Sequence, residues 1–298
     1  MTPAEPTSAA PVAAPAPAGT GRALVIGDPV AHSLSPVLHR AGYEAAGLTG
    51  WGYEHHRVPE GTLAGFLDAL PADVRGLSVT MPLKRELLAL GRARGWDVSA
   101  HAAAAGGANT WVRADGAGTV ALDNTDLPGA AAAVRERWGG PVGTVAVLGG
   151  GATAASVALA LTDLGAASVR FLVRSPERAA ETVAAVRAYA PAVDVEAVGL
   201  DAAAPADVLV STIPAAAQDA RQCARAEAPV VFEVVYDPWP TPLAAASEAA
   251  GSVLVTGLDL LVHQAVLQFE QFTGVPGPLA AMRAAGEAAV AARRAGRA

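Results

Sequence analysis

Short apolar runs alternate with helical stripes along almost the whole chain. The clearest run is Thr144–Leu148, five residues rich in β-branched side chains with no apolar/polar alternation, the pattern of a strand buried on both faces in a parallel sheet. Comparable runs predict strands at Ala23–Ile26, Tyr53–Val58, Leu77–Thr80, Asn109–Val112 and Thr119–Leu122 in the first half. In the second half they fall at Val169–Val173, Val193–Val198, Val208–Ser211, Val230–Tyr236 and Val253–Val255. Helices fill the intervals. Ser35 reads as an N-cap with Pro36 at the first helical position, leading to Ala46. Leu63–Leu70, Pro82–Leu90 and Val98–Ala105 follow, and Pro128 with Gly129 starts the helix that crosses into the second half. Ser175 reads as the cap of a helix from Pro176 to Ala190. Gly257–Thr273 places Leu258, Leu261, Val262, Ala265 and Phe269 on one side, and Pro278–Arg294 is the last helix.

The alternation predicts an α/β protein of two domains. Residues 22–126 form the first and residues 127–256 a doubly wound, mainly parallel second domain. The helices of residues 257–298 are free to return to the first. Residues 1–21 are Ala/Pro-rich, with neither a basic nor an apolar signal region, and read as a disordered tail.

Composition narrows the partners. A net charge of −7 and the lack of a basic stripe outside the extreme C-terminus argue against nucleic acid, and no apolar run approaches a membrane span. Cys223 is the only cysteine, so no intrachain disulfide can form and a reducing cytoplasm is the expected compartment. Whether the chain is a monomer or a homodimer stays open.

Three glycines follow the Thr144–Leu148 run at once, and an alanine-rich helical segment runs from them to Gly165. Read as G-x-G-x-x-A, the fingerprint falls on Gly149, Gly151 and Ala154. The first glycine permits a tight turn and the second lets a pyrophosphate approach the backbone. The small third residue lets helix and strand pack closely, with phosphates at the helix N-terminus. A plain turn is the bland alternative, but the strand before and the helix after favour a dinucleotide site formed by Gly149, Gly150, Gly151, Ala152 and Thr153. The second strand ends in Arg174-Ser175-Pro176 with no acid at its tip; Glu177 is already in the next helix. A guanidinium there suits a 2′-phosphate, with Ser175 adding a donor and Arg178 a second charge, so NADP is expected over NAD. The competing reading of Arg174 is a solvated surface residue.

Polar residues suited to a small polyhydroxylated anion gather at strand ends of the first domain: Ser33, Ser35, Ser78, Thr80, Lys84, Asn109 with Thr110, and Asn124 with Asp126. Each alone has a structural reading as a cap or turn residue. Lys84 stands apart. In the first turn of a helix opened by Pro82, a cation meets the positive end of the macrodipole. A lysine under that pressure beside a cleft can give and take a proton as a general acid/base. Asp126 would press the other way, leaving the net direction open, and a surface lysine is the alternative. His55 and His56 are adjacent in a strand and face opposite ways. No metal-ligand spacing and no hydrolase triad is visible, so no metal is expected.

Taken together, GDPVAHSLSP, GLSVTMPLK, GGANT, DNTD, LGGGATAAS, VVYDPWPTPL and GLDLLVHQAVLQFEQFTG closely resemble, in order, the shikimate dehydrogenases, from Ala23 to about Thr273. The resemblance implies a substrate domain completed by C-terminal helices, a Rossmann domain, and a cleft between them. It implies reversible NADPH-linked reduction of 3-dehydroshikimate to shikimate in aromatic amino acid biosynthesis, with Lys84 and Asp126 as the catalytic pair. Ser33, Ser35, Thr80, Asn109, Asp126, Tyr236 and Gln264 would contact shikimate. Gly149–Thr153, the loop after Val173, Val234 and Gly257 would line the NADP site. Ser78 stands where the family usually has Asn, as a further substrate contact, and Leu127-Pro128 where a Gly is more common. An NAD-preferring, quinate-accepting relative and a non-catalytic metabolite sensor are the alternatives. Retention of Lys84 and Asp126 speaks against the sensor.

Overall fold

The computed structural model describes residues 19–113 and 119–296. Of the expected tail, residues 1–18 lie outside the described residues, and Gly21 already opens the first strand. Two six-stranded sheets organise the rest.

The first contains β1 (Gly21–Gly27), β2 (Trp51–Arg57), β3 (Val74–Val79), β4 (Asp97–Val98), β5 (Thr110–Arg113) and β6 (Val120–Asp123), in the order β2-β1-β3-β5-β6-β4. β1 runs parallel to both β2 and β3, whereas β5 is antiparallel to β3 and to β6. Among the described residues of this half lie the helices α1 (Ser35–Ala45), α2 (Leu63–Asp68), α3 (Lys84–Ala93) and α4 (Ala100–Ala105). Alternation along β1 sends Leu24 and Ile26 to one face, packed with Leu63, Leu77, Leu83 and Leu87. Ala23 and Val25 face the other way.

The second half begins with α5 (Asp126–Arg137) and β7 (Thr144–Leu148). There follow α6 (Ala152–Asp163), β8 (Ser168–Val173), α7 (Ala180–Tyr189), β9 (Asp194–Gly199), β10 (Val208–Ser211) and the short α8 (Ala220–Cys223). It continues through β11 (Val230–Glu233), α9 (Pro242–Ala250), β12 (Val253–Thr256), α10 (Gly257–Thr273) and α11 (Leu279–Ala295). Its sheet, β12-β11-β10-β7-β8-β9, is parallel at every pairing, beyond the mainly parallel expectation. Reversal of strand order on either side of β7 makes the glycine turn a switch point, where open α/β sheets bind ligands.

The last two helices do pack on the first sheet. Val262, Ala265, Phe269 and Phe272 of α10 and Met282 of α11 share a core with Ala23, Val25, Leu38 and Tyr53. α10 also lies against α5, and a Cβ on Gly129 would come within 2.9 Å of the Gln264 backbone nitrogen. Only glycine allows that approach, and it sets Gln264 beside the start of α5.

Several helix starts differ from the sequence reading, and the differences bear on the site. Ser35 is the first residue of α1 and caps nothing with its side chain; Leu34 holds the cap position. The hydroxyl is thereby left for other partners. Pro82 lies in a turn, and α3 begins at Lys84 itself, because Leu83, fully buried, takes the cap position. α5 begins at Asp126, two residues before Pro128. The Asn124 carboxamide oxygen accepts from the backbone N–H of Asp126 at 3.1 Å and of Leu127 at 3.3 Å, and proline in the third position forfeits no helical hydrogen bond. The helix expected over Pro176–Ala190 divides into a 3₁₀ turn, Pro176–Ala179, and α7.

Candidate active site

One cavity of about 150 Å³ collects the residues that the resemblance places at the substrate, together with Lys84 and Ser78, whereas Thr110 and Asn124 of the expected polar cluster lie outside its lining. Ser33, Ser35, Ser78, Thr80, Lys84, Asn109, Asp126, Tyr236 and Gln264 all line it. They arrive from the loop after β1, the end of β3, the start of α3, the start of β5, the start of α5, the loop after β11 and the middle of α10.

At its centre, Lys84 Nζ donates to Asp126 Oδ2 at 2.5 Å. The Lys84 side chain is 12% exposed and that of Asp126 8%, which rules out a solvated surface lysine. Asn109 Nδ2 donates to the other carboxylate oxygen, Oδ1, at 2.9 Å. The orientation of Asn109 is fixed, because its Oδ1 accepts from the backbone N–H of Thr125 at 2.8 Å and so must be the oxygen. Gln264 comes within 3.5 Å of Asn109 Nδ2 and anchors its own amide nitrogen on the Leu261 carbonyl at 2.9 Å.

At the other end, Ser33 Oγ donates to Ser35 Oγ at 3.2 Å. Tyr236 hydrogen-bonds the Leu34 backbone and the Ser33 side chain, and burial pushes its hydroxyl up, so it stays protonated. The turn that presents Tyr236 and Val234 is held by Glu233, a buried carboxylate. It accepts from Gln218 at 2.6 Å, Thr241 at 2.9 Å and the backbone N–H of Val235 at 3.0 Å. Such a cluster can grip an oxygen-rich ring by donors and acceptors while a lysine exchanges one proton.

The glycine loop lies outside this cavity, whose rim it reaches only through Thr153, with Val234 and Gly257. Its shape nonetheless fits a dinucleotide. Gly149 has φ +110° and a Cβ there would meet Thr212 Oγ1 at 2.3 Å, whereas nothing lies within 4 Å of the Cβ position at Gly151. No side chain caps α6, so its first N–H groups are free for phosphate, with Ala152 in the first turn. Arg174 and Arg178 are exposed, and among the described residues neither has a carboxylate partner. Ser175 differs from expectation: it caps no α-helix, and its hydroxyl donates to Glu177 at 2.6 Å. Among the described residues no cluster of metal-ligating side chains occurs, and no helix is long and apolar enough to cross a membrane.

Sequence reasoning missed Gln268, Leu260 and Leu261 in the cavity, and Tyr53 behind Ser78. Gln268 carried a usable signal: it lies four residues after Gln264, on the same helical face.

Comparison with known proteins agrees with this arrangement. Residues 25–111 match the shikimate dehydrogenase substrate binding domain, and residues 257–285 the shikimate 5'-dehydrogenase C-terminal domain. Residues 144–229 match the NADP oxidoreductase, coenzyme F420-dependent family, which covers the glycine loop. The shikimate dehydrogenase (NADP(+)) of Methanothermobacter thermautotrophicus is 32% identical over 269 residues, covering 87% of this chain and 93% of that protein. The crystal structure of Mycobacterium tuberculosis shikimate dehydrogenase superposes with a TM-score of 0.81 at 39% identity, over 90% of this chain and 99% of that one. That of the Thermus thermophilus enzyme in complex with NADP(H) and shikimate gives 0.75 at 31% identity, over 91% and 100%. With relatives this similar along nearly its whole length, the chain belongs to the shikimate dehydrogenase family.

Proposed function

We propose that this protein is an NADP-dependent shikimate dehydrogenase, interconverting shikimate and 3-dehydroshikimate. The observation that carries the reading is the Lys84–Asp126 pair, held by Asn109 inside a cavity that Ser33, Ser35, Ser78, Thr80, Tyr236 and Gln264 also line. Residues 22–126 with the helices of residues 257–298 serve as the substrate domain, and residues 127–256 as the nucleotide domain.

NADP, when bound, supplies the acceptor for the hydride that leaves the hydroxyl-bearing carbon of shikimate. Gly149, Gly150, Gly151, Ala152 and Thr153 would hold its pyrophosphate, Arg174 and Arg178 its 2′-phosphate, and Val234 and Gly257 the rim facing the substrate. In the reduction Lys84 Nζ, the ammonium that donates to Asp126, gives a proton to the carbonyl oxygen as it becomes the hydroxyl, and in the oxidation the amine left behind takes that proton back; Asp126 orients Nζ and accepts a hydrogen bond from the hydroxyl once Nζ has given its proton. Ser33, Ser35 and Tyr236 bind the far end of the ring, and Asn109, Thr80, Ser78 and Gln264 meet its remaining polar groups. Placement at close range, with water displaced, is the protein's contribution.

Gln264→Ala is expected to lower kcat/KM for shikimate roughly tenfold, the scale of one lost hydrogen bond, while KM for NADP stays near its wild-type value. A change confined to KM for NADP would assign α10 to the nucleotide instead. Arg174→Ala is expected to raise KM for NADP by on the order of 10- to 100-fold, as a charge-assisted hydrogen bond is lost, with NAD turnover nearly unchanged. Equal losses with both nucleotides would make Arg174 structural. The reading as a whole is tested by nicotinamide absorbance with shikimate and quinate, each against NADP and NAD. Fastest turnover is expected with shikimate and NADP; a preference for quinate or for NAD overturns the corresponding half.

A further inference from the structure

Behind the cavity a chain of buried side chains runs from its Ser33–Ser35 end to Asp126. Tyr53, whose hydroxyl also hydrogen-bonds Ser35, donates to Ser78 Oγ at 2.6 Å. Ser78 donates to Gln268 Oε1 at 2.6 Å, and Gln268 Nε2 donates to Thr110 Oγ1 at 3.0 Å. Thr110 donates to Asn109 Oδ1 at 2.7 Å, and Asn109 Nδ2 donates to Asp126 Oδ1 at 2.9 Å. All of these side chains are nearly or fully buried, Gln268 at 1% exposure.

The direction of every bond follows from two backbone groups. Gln268 donates to the Asn109 carbonyl at 3.0 Å, and a carbonyl can only accept, so that end of Gln268 is its NH₂ and the other end its oxygen. The Thr125 N–H fixes the Asn109 oxygen in the same way. Between these two anchors Thr110 has one hydrogen, and the Gln268 NH₂ on one side leaves it to point at Asn109. On the far side the single hydrogen of Ser78 is committed to Gln268, so Tyr53 must be the donor to Ser78. Burial pushes the Tyr53 hydroxyl up, which keeps it protonated and able to donate. His39 stacks on the Tyr53 ring at 4.2 Å, and burial pushes it down to about 3, so no charge disturbs that end. Ser78 then meets a bound hydroxyl only as an acceptor, through the one lone pair it has left.

We propose that Gln268 is a positioning residue for the shikimate dehydrogenase reaction. It sets the polarity of this chain and, through Thr110 and Asn109, holds the Asp126 carboxylate in register with Lys84. The inference rests on the function proposed above. A hydrogen-bonded side chain of α10 thus governs geometry at the start of α5, through groups of the first sheet.

The test uses the full-length protein and two variants that cut the chain at different links. Gln268→Met keeps length without polar ends, and Thr110→Val keeps shape without the hydroxyl. Each is assayed alone and combined with Asn109→Ala, for kcat and for both KM values. Loss of register at the reacting atoms predicts a fall in kcat of about 10- to 100-fold for either single variant, with KM for NADP within about twofold of wild type. If both act through Asn109, neither costs more than about twofold once Asn109 is alanine. Wild-type kcat in Thr110→Val, or a full loss that persists in the Asn109→Ala background, overturns the proposal. Thr110→Val decides alone if Gln268→Met does not fold. A wild-type protein inactive on shikimate overturns the functional reading and this proposal together, a result distinct from an active enzyme indifferent to the two variants.

Discussion

Lys84→Ala is expected to lower kcat by about 10²–10⁴, the range set by loss of a positioned general acid/base. Among the described residues Lys84 Nζ is the one ammonium in the cavity lining, and it lies in a site where bulk water has little access, its side chain being 12% exposed. No neighbour can substitute for it. Tyr236 stays protonated at the other end, and Ser78 has its hydrogen committed to Gln268. KM for shikimate should move much less, because Asn109, Thr80, Ser33 and Ser35, which line the same cavity and are proposed to bind the ring, remain. Steady-state kinetics with shikimate and NADP checks this directly, and near-normal turnover would falsify the role of Lys84. Stability should fall as well, since the Asp126 carboxylate, 8% exposed, is left with only the neutral donor from Asn109, so kcat is compared at a temperature where the variant is shown to be folded.

Asp126→Asn should reduce kcat by a comparable factor of about 10²–10⁴ for a different reason. The carboxylate accepts at both oxygens, from Lys84 on Oδ2 and from Asn109 on Oδ1. A carboxamide of the same shape has one acceptor and one donor. Its NH₂ must therefore face either the Lys84 ammonium or the Asn109 NH₂, and neither can accept. Lys84 also loses the charge that fixes its position, so Nζ no longer meets the substrate oxygen at a single distance. The variant should bind NADP normally, because the glycine loop and Arg174 lie outside the cavity's centre. A kcat within tenfold of wild type, measured beside Lys84→Ala, would show that Asp126 merely neutralises a buried lysine.

Much of the architecture was legible because the sequence pattern matches burial. Thr144–Leu148 is found with the bounds its unbroken apolar run predicts, as a strand covered on both faces should be. Gly257–Thr273 likewise begins and ends where its amphipathic stripe does, between a Thr256 cap and Gly274. Helix starts in the first domain were less legible. Ser35, Pro82 and Pro128 carry cap-like and first-turn chemistry, but tertiary contacts move each boundary by one or two residues. Buried Leu83 draws the start of α3 to Lys84, and the Asn124 side chain starts α5 at Asp126. Those shifts put both catalytic candidates at the first residue of a helix. The antiparallel placement of β5 between β3 and β6 has no signature in short runs such as TWVR and VALD. α9 was missed although Thr241-Pro242 is a cap followed by proline, because its alanines lack a strong apolar stripe.

Most of the polar residues that line the cavity were legible, since they sit at strand ends and helix starts where polar groups have no structural necessity. Gln268 and Tyr53 were not, for the opposite reason. A glutamine on an amphipathic helix and a tyrosine in a strand read as ordinary surface and core residues until their partners from other elements are in place. The Ser175 hydroxyl was assigned to a phosphate from its position alone, and only the fold reveals its bond to Glu177.

The central claim is that this cavity carries shikimate oxidation coupled to NADP, with hydrogen leaving the hydroxyl-bearing carbon while Lys84 takes the hydroxyl proton. Shikimate deuterated at that carbon, incubated with NADP and the wild-type protein, tests it most directly by mass spectrometry of the nucleotide. The account predicts one deuterium recovered in each reduced nucleotide, at a rate that Lys84→Ala slows by about 10²–10⁴. Reduced nucleotide that carries no label, or none formed at all with shikimate, would contradict it.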